Sequence, residues 1–237
     1  MGKAKKAALK KLPDSWRMKM FMQAAQPEHM KARPQLLPAL AVLWLTGCRP
    51  AELEKGVRIA QHGDELTIEI DGAKTVDAGG RERGQPRRMY RFTLHGEGEK
   101  ANPSLTLLRL LHTRALGDGR SELLVTHDRD YLYNSIVELG RKTFPAMRTR
   151  VSPYVFRHQT AADLKNDGSL SLADVARFMG HLSDYSAGKY GHPAHSSKGR
   201  LPKAVVVTSR PIKHSPKVDR LARFRIASAK RRDHKPS

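Results

Sequence analysis

The chain has 237 residues, 39% hydrophobic and 28% charged, with one cysteine and a formal net charge of +21. That length suits one substantial domain with appendages and excludes three, and the composition excludes general disorder. The lone Cys48 excludes an internal disulfide and a cysteine-rich metal site, so a reducing cytoplasm is the default location, while the basic excess calls for a polyanionic partner.

The first twelve residues hold five lysines and no acid. They precede no apolar core of the kind a secretory signal needs. The stretch "PDSWRMKMFMQAA" (13–25) spaces Trp16, Met20 and Met22 at helical intervals, and "PQLLPALAVLWLTG" (34–47) predicts an apolar helix ended by Gly47. The latter is too short, and contains a proline, for the roughly 18–20 residues that span a bilayer. Three strands are expected next, at 56–61, 65–71 and 87–94, the second alternating Leu66, Ile68 and Ile70. "HGD" turns the first pair, and the Gly-rich "DGAKTVDAGGRERGQP" joins the second. The Gly-rich loop lacks the Gly-Lys-Ser/Thr ending of an NTPase phosphate loop.

From there to about 192 the chain reads as helices, over 102–116, 130–145, 152–168 and 171–181. Asn102 before Pro103 is a cap, and Asp167-Gly168 a stop. Beyond lie a β-like run, Ala204–Thr208, and a basic helical candidate. Residues 196–237 carry thirteen Lys/Arg against Asp219 and Asp233, so the two ends hold 16 of the 21 net charges. The expected organisation is a basic N-terminal segment (1–12), one α+β, mostly helical domain with a small three-stranded antiparallel sheet (13–195), and a basic tail (196–237). Such basic ends gain affinity for nucleic acid by releasing its counterions.

The residues suited to chemistry sit at the ends of these elements. Arg49 follows the apolar helix in "TGCRPAEL", with Pro50 able to open the next helix and Glu52 placed to brace Arg49. Lys74 ends a strand beside the Gly-rich loop. Tyr154 and Arg157 are three apart in one helix and share a face. His181 closes its helix, and "MGHLSDYSAGKYGH" (179–192) then holds Tyr185 and Tyr190. Singly, each has a bland reading as a cap, a packing group or a surface aromatic. His158, His192 and His195 have no acidic pair or Cys/His ladder beside them, so no metal site and no cofactor is expected.

In order, "TGCRPAEL", "GAKT", "SPYVFRH", "MGH" and "Y" resemble the catalytic domain of tyrosine recombinases, the phage-integrase family of DNA strand-exchange enzymes. That family carries an Arg in a TGxRxxEL box, a Lys in a β-hairpin, a His-x-x-Arg box, a GH box, and a nucleophilic Tyr nine residues past that His. Arg49, Lys74, Arg157, His181 and Tyr190 match those positions over about residues 14–195. The chain departs from the pattern at Tyr154, where the family usually has His. Tyrosine keeps a hydrogen-bonding tip there and loses the option of a positive charge.

The resemblance implies site-specific cleavage and rejoining of double-stranded DNA, without metal or ATP, through a 3′-phosphotyrosine at Tyr190. It also implies a tetramer of the protein on DNA, admits accessory DNA-bending proteins, and suits a mobile genetic element. Two arginine forks match phosphate geometry, and their charge favours the phenolate. Lys74 is the expected general acid, and His181 either donates to a nonbridging oxygen or assists proton removal. Tyr185 reads as packing or a DNA-side contact, and "SAGK" as a flexible tether for Tyr190. The 48 residues before Arg49 are too few for the core-binding domain that usually precedes this one. A DNA-binding relative without catalysis and a type IB topoisomerase-like enzyme are the neighbouring readings.

Overall fold

The computed structural model describes residues 8–75, 83–94, 102–197, 201–216 and 223. The first seven residues, the middle of the Gly-rich loop and all but Arg223 of the tail after 216, with its basic helical candidate, lie outside the described residues. Helices α1 (Trp16–Ala24), α2 (Pro27–Ala32), α3 (Leu36–Thr46) and α4 (Pro50–Lys55) come first, then strands β1 (Val57–His62), β2 (Glu65–Asp71) and β3 (Arg87–Thr93). Helix α5 (Pro103–Gly117), strand β4 (Leu123–Val125) and helices α6 (Arg129–Thr143), α7 (Pro153–Asn166), α8 (Leu172–Phe178) and α9 (Asp184–Ala187) follow. A 3₁₀ turn, Pro193–His195, and strand β5 (Ala204–Thr208) complete the order.

Helix α3 is the axis of the core. Every residue from Leu36 to Thr46 except Pro38 is buried, as expected of a helix that is apolar all round. It packs against α1, α5 and α7. Gly47 ends it in the left-handed region (φ +58°), and a Cβ there would approach the Thr160 side chain of α7 to 3.0 Å. Pro50 opens α4 at once, so Arg49 sits in a two-helix corner against α7.

The sheet corrects the sequence reading. It has five strands in the order β4-β1-β2-β3-β5, all pairs antiparallel, rather than three. Ile59, Ile68 and Tyr90 lie opposite one another across β1, β2 and β3, and the alternation of β2 buries Leu66, Ile68 and Ile70. Strand β4 spans three residues, too few for alternation to register. Strand β5 is the β-like run, paired from Ala204 to Thr208 with β3, so part of the segment beyond 196 is a strand of this sheet. Helix α2, six residues with Pro27 at its start, has no counterpart in the sequence reading. Among the described residues no helix is long and apolar enough to cross a membrane.

Candidate active site

The site begins with a carboxylate buried between two guanidiniums. Glu52, in the first turn of α4, accepts from the Arg49 main-chain N–H (2.7 Å) and from Arg49 Nη1 (2.7 Å). On its other side Arg88 of β3 donates to it through Nη2 (2.7 Å) and Nη1 (3.2 Å). Both Glu52 and Arg88 side chains are wholly buried. Burial alone would raise the Glu52 carboxyl, but Arg88, then Arg49 and Arg157, hold it well below the usual carboxylate range. Burial likewise opposes the charge on Arg88, and Glu52 and Tyr90 outweigh it, so that this guanidinium rises above its ordinary value.

Arg88 also ties the sheet to the loop that carries His181. Its Nε donates to Tyr90 Oη (2.7 Å), and Tyr90 Oη donates to the Phe178 carbonyl (2.5 Å) at the end of α8. Gly180, at φ +66°, leaves room for this: a Cβ there would lie 2.7 Å from Arg88 Nη1.

Arg157 projects from the first turns of α7, which Pro153 opens. It is fully buried, with Nη1 donating to the Gly47 carbonyl (2.8 Å) and Nη2 to the Met179 carbonyl (2.5 Å). The same Nη2 lies 3.0 Å from His181 Nε2. Burial, then the charge of Arg49, push the Arg157 pKa down to about 10, which leaves it cationic at neutral pH. Burial and the surrounding Arg157, Arg49 and Arg88 push His181 well below its ordinary value. The ring is therefore neutral, and since Nε2 accepts from arginine its proton resides on Nδ1. Both that Nδ1 and Arg157 Nε are buried without a hydrogen-bond partner among the described residues.

Tyr190 completes the cluster. Its ring centroid is 4.9 Å from that of His181 and 5.3 Å from that of His158, and Arg157 Cζ lies 5.0 Å over its face. Partial burial raises the phenol pKa, but the charges of Arg157 and Arg49 and their hydrogen bonds to the side chain outweigh it, so the net shift is downward. Arg157 and Arg49 are the cations that act on this phenol, and Glu52 lies beside Arg49. The expected tether before Tyr190 is more ordered than foreseen. Residues 184–187 form α9, and the Tyr190 N–H donates to the Ala187 carbonyl (3.2 Å). Tyr185 is elsewhere, 38% exposed, with Lys189 Nζ 5.0 Å over its ring.

The structure thus brings Arg49, Arg157, His181 and Tyr190 together. Tyr154 is half-buried one turn before Arg157. Lys74 is exposed at the base of the hairpin, outside the buried cluster, yet that base is fastened to it. Gln85 N donates to the Gly180 carbonyl (3.3 Å), and a Cβ on Gly84 (φ +67°) would sit 2.5 Å from the Lys74 carbonyl. Sequence reasoning gave Glu52 its bracing part and missed Arg88. The signal was present: the period-two pattern of β3 puts Arg88 on the buried face with Tyr90 and Phe92, where an arginine requires a partner.

Among solved structures, the chain is similar to XerA recombinase. The match has 18% identity and a TM-score of 0.48, and covers 95% of this chain and 65% of that one. The chain therefore spans somewhat less than two thirds of the length of that structure's chain. No protein-family model and no curated protein matches it.

Proposed function

We propose that the protein cleaves and rejoins double-stranded DNA at specific sites through a covalent 3′-phosphotyrosyl intermediate on Tyr190. One observation carries the reading: a half-buried tyrosine phenol is held against two buried or nearly buried arginines and a neutral histidine. A phosphodiester and a phenolate both bring negative charge, and the two arginines offer each the opposite sign. Fixed cations in a desolvated site stabilise developing charge more strongly than the same groups in water.

In the forward step the Tyr190 oxygen attacks phosphorus, the bond from phosphorus to the 5′ oxygen breaks, and that oxygen takes a proton from Lys74. The phenol of the half-buried Tyr190 gives its proton to solvent as the arginines favour the phenolate, and the reverse step takes one back. Arg49 and Arg157 hold the nonbridging oxygens, Tyr154 adds a hydroxyl contact, and His181 serves through Nδ1–H as a donor to the phosphate. The reverse step, with the 5′ hydroxyl of another strand as nucleophile, restores Tyr190 and joins that strand. The same number of phosphorus–oxygen bonds is present throughout, and the balance requires no nucleotide. Residues 13–195 form the catalytic unit in this reading, its sheet completed by β5; the basic segment 1–12 and the rest of 196–237 track the phosphate backbone, and strand exchange takes place in a tetramer on DNA.

The test uses a pool of nicked duplexes of randomised sequence, end-labelled so that a covalent species resists denaturant. The parent protein and Tyr185→Phe are expected to form it, and Tyr190→Phe none. DNA binding by the parent with no covalent species would overturn the reading and leave a DNA-binding protein without catalysis, the outcome that the Tyr154 departure favours.

A further inference from the structure

Burying a lysine is costly unless its ammonium is well partnered. Lys165 of α7 is 6% exposed. Its Nζ donates to the main-chain carbonyls of Tyr190 (2.6 Å) and Gly191 (2.9 Å). His158, Ala162 and Lys165 form one stripe along α7, at the i, i+4, i+7 spacing, and all three meet the chain at 190–191. His158 Nδ1 accepts from the Gly191 N–H (3.3 Å). A Cβ at Gly191 would lie 2.2 Å from the His158 carbonyl and 2.6 Å from Ala162 N, so the backbone rests directly on the helix. One residue from His158, Arg157 faces the phenol of the same Tyr190. A single helix therefore carries both a guanidinium that meets the phenol and the seat for the backbone that bears it.

We propose that Lys165 is a positioning residue, whose buried ammonium clamps the main chain of Tyr190 and Gly191 onto α7 and so holds the phenol between Arg49 and Arg157. The proposal rests on the strand-transfer reading for its consequence in catalysis, and on the contacts alone for the placement of Tyr190. A main chain bonded through two carbonyls to one rigid helix leaves the side chain few ways to stray. Displacement of a reacting group by about 1 Å costs on the order of 10²-fold in rate.

The experiment compares the full-length parent with Lys165→Met, which keeps the stem and removes the donor, and Lys165→Gln, which keeps a neutral donor. A thermal melt checks that each is folded, and Lys165→Gln carries the test should Lys165→Met fail to fold. Single-turnover formation of the covalent species is measured against pH, DNA affinity is measured separately, and Tyr190 is titrated in DNA-free protein by NMR of ¹³Cζ-labelled tyrosine, assigned with Tyr190→Phe. In Lys165→Met we expect cleavage slowed at least about tenfold with unchanged DNA affinity, a profile displaced to higher pH, and a Tyr190 titration displaced toward that of a free phenol. Lys165→Gln is expected between this variant and the parent. Folded variants with parental cleavage and an unmoved Tyr190 titration would overturn the proposal. If the parent forms no covalent species, the strand-transfer reading fails by itself. The titration then decides alone: a displaced Tyr190 supports the clamp and an unmoved one overturns it.

Discussion

The arginine cluster and the hairpin end fastened beside it are built in opposite ways. Arg88 and Arg157 are buried, Arg88 held by Glu52 and Tyr90 and the two Nη atoms of Arg157 by the carbonyls of Gly47 and Met179. Arg49 is nearly so, at 12% exposure. Lys74, by contrast, is exposed in a bend three residues past the end of β2. A group that stabilises charge by its field gains from a dry, rigid setting. A group that gives away a proton and must regain one suits a place that water reaches. The fold separates the two, with Arg49 and Arg157 in a helical corner backed by Arg88 of β3 and Lys74 in the bend after β2, and joins them through Gln85, whose main-chain N–H donates to the Gly180 carbonyl.

The difference is open to breaking from either side, and the buried side is expected to give more. Glu52→Gln leaves Arg88 in the core with no counter-charge. Loss of one partner of a buried pair costs about 3–5 kcal/mol, and the lost charge opposite Arg49 Nη1 should lower cleavage with it. A denaturant titration measures the first and the covalent assay the second. An undiminished stability would mean that Glu52 does not hold the cluster together. Lys74→Ala is expected to do the reverse: a parental melting midpoint, with cleavage lower by about 10²–10⁴-fold, the usual contribution of a general acid. Sulfur in place of the 5′ bridging oxygen, a leaving group that departs without a proton, should restore the rate. A Lys74→Ala defect that sulfur leaves in place would assign the proton to another group.

The same contrast explains what was legible in the sequence. Arg49, Arg157, His181 and Tyr190 stand beside strong local signals: the Gly47 stop, Pro50 and Pro153 at helix starts, and a Gly-His turn. Arg88 has no such marker. Its meaning lies in a carboxylate 36 residues away, reached only when β3 is laid against α4. Lys165 is hidden for a different reason. Helix α7 is buried at every residue from Val155 to Lys165, so no amphipathic period separates an inward lysine from a solvated one. The sheet was undercounted because β4 is three residues long and the pairing of β5 with β3 joins segments more than a hundred residues apart. Local chemistry marked the ends of elements, and tertiary pairing supplied the rest.

The smallest expected effect distinguishes the two regions by pH alone. His181 is neutral in the folded protein because burial, Arg157, Arg49 and Arg88 all oppose its charge and only Glu52 among the shifting groups favours it. In the unfolded chain its pKa returns to about 6.5. Below that pH the unfolded state binds a proton that the folded state refuses, so stability falls as pH falls, by up to about 1.4 kcal/mol per pH unit for one such group. Above about pH 6.5 neither state is protonated there and the slope vanishes. His112, also lowered by burial and by His62, contributes in the same direction. His181→Gln should therefore flatten part of the slope between pH 6.5 and 5 in denaturant titrations and leave the share due to His112, while Lys74→Ala should leave the whole slope as it is. A slope that His181→Gln leaves intact would mean that the histidine is charged in the folded protein, and that its Nδ1 and Nε2 are both donors. Its contact with Arg157 would then be repulsive, which the 3.0 Å approach of the two groups opposes.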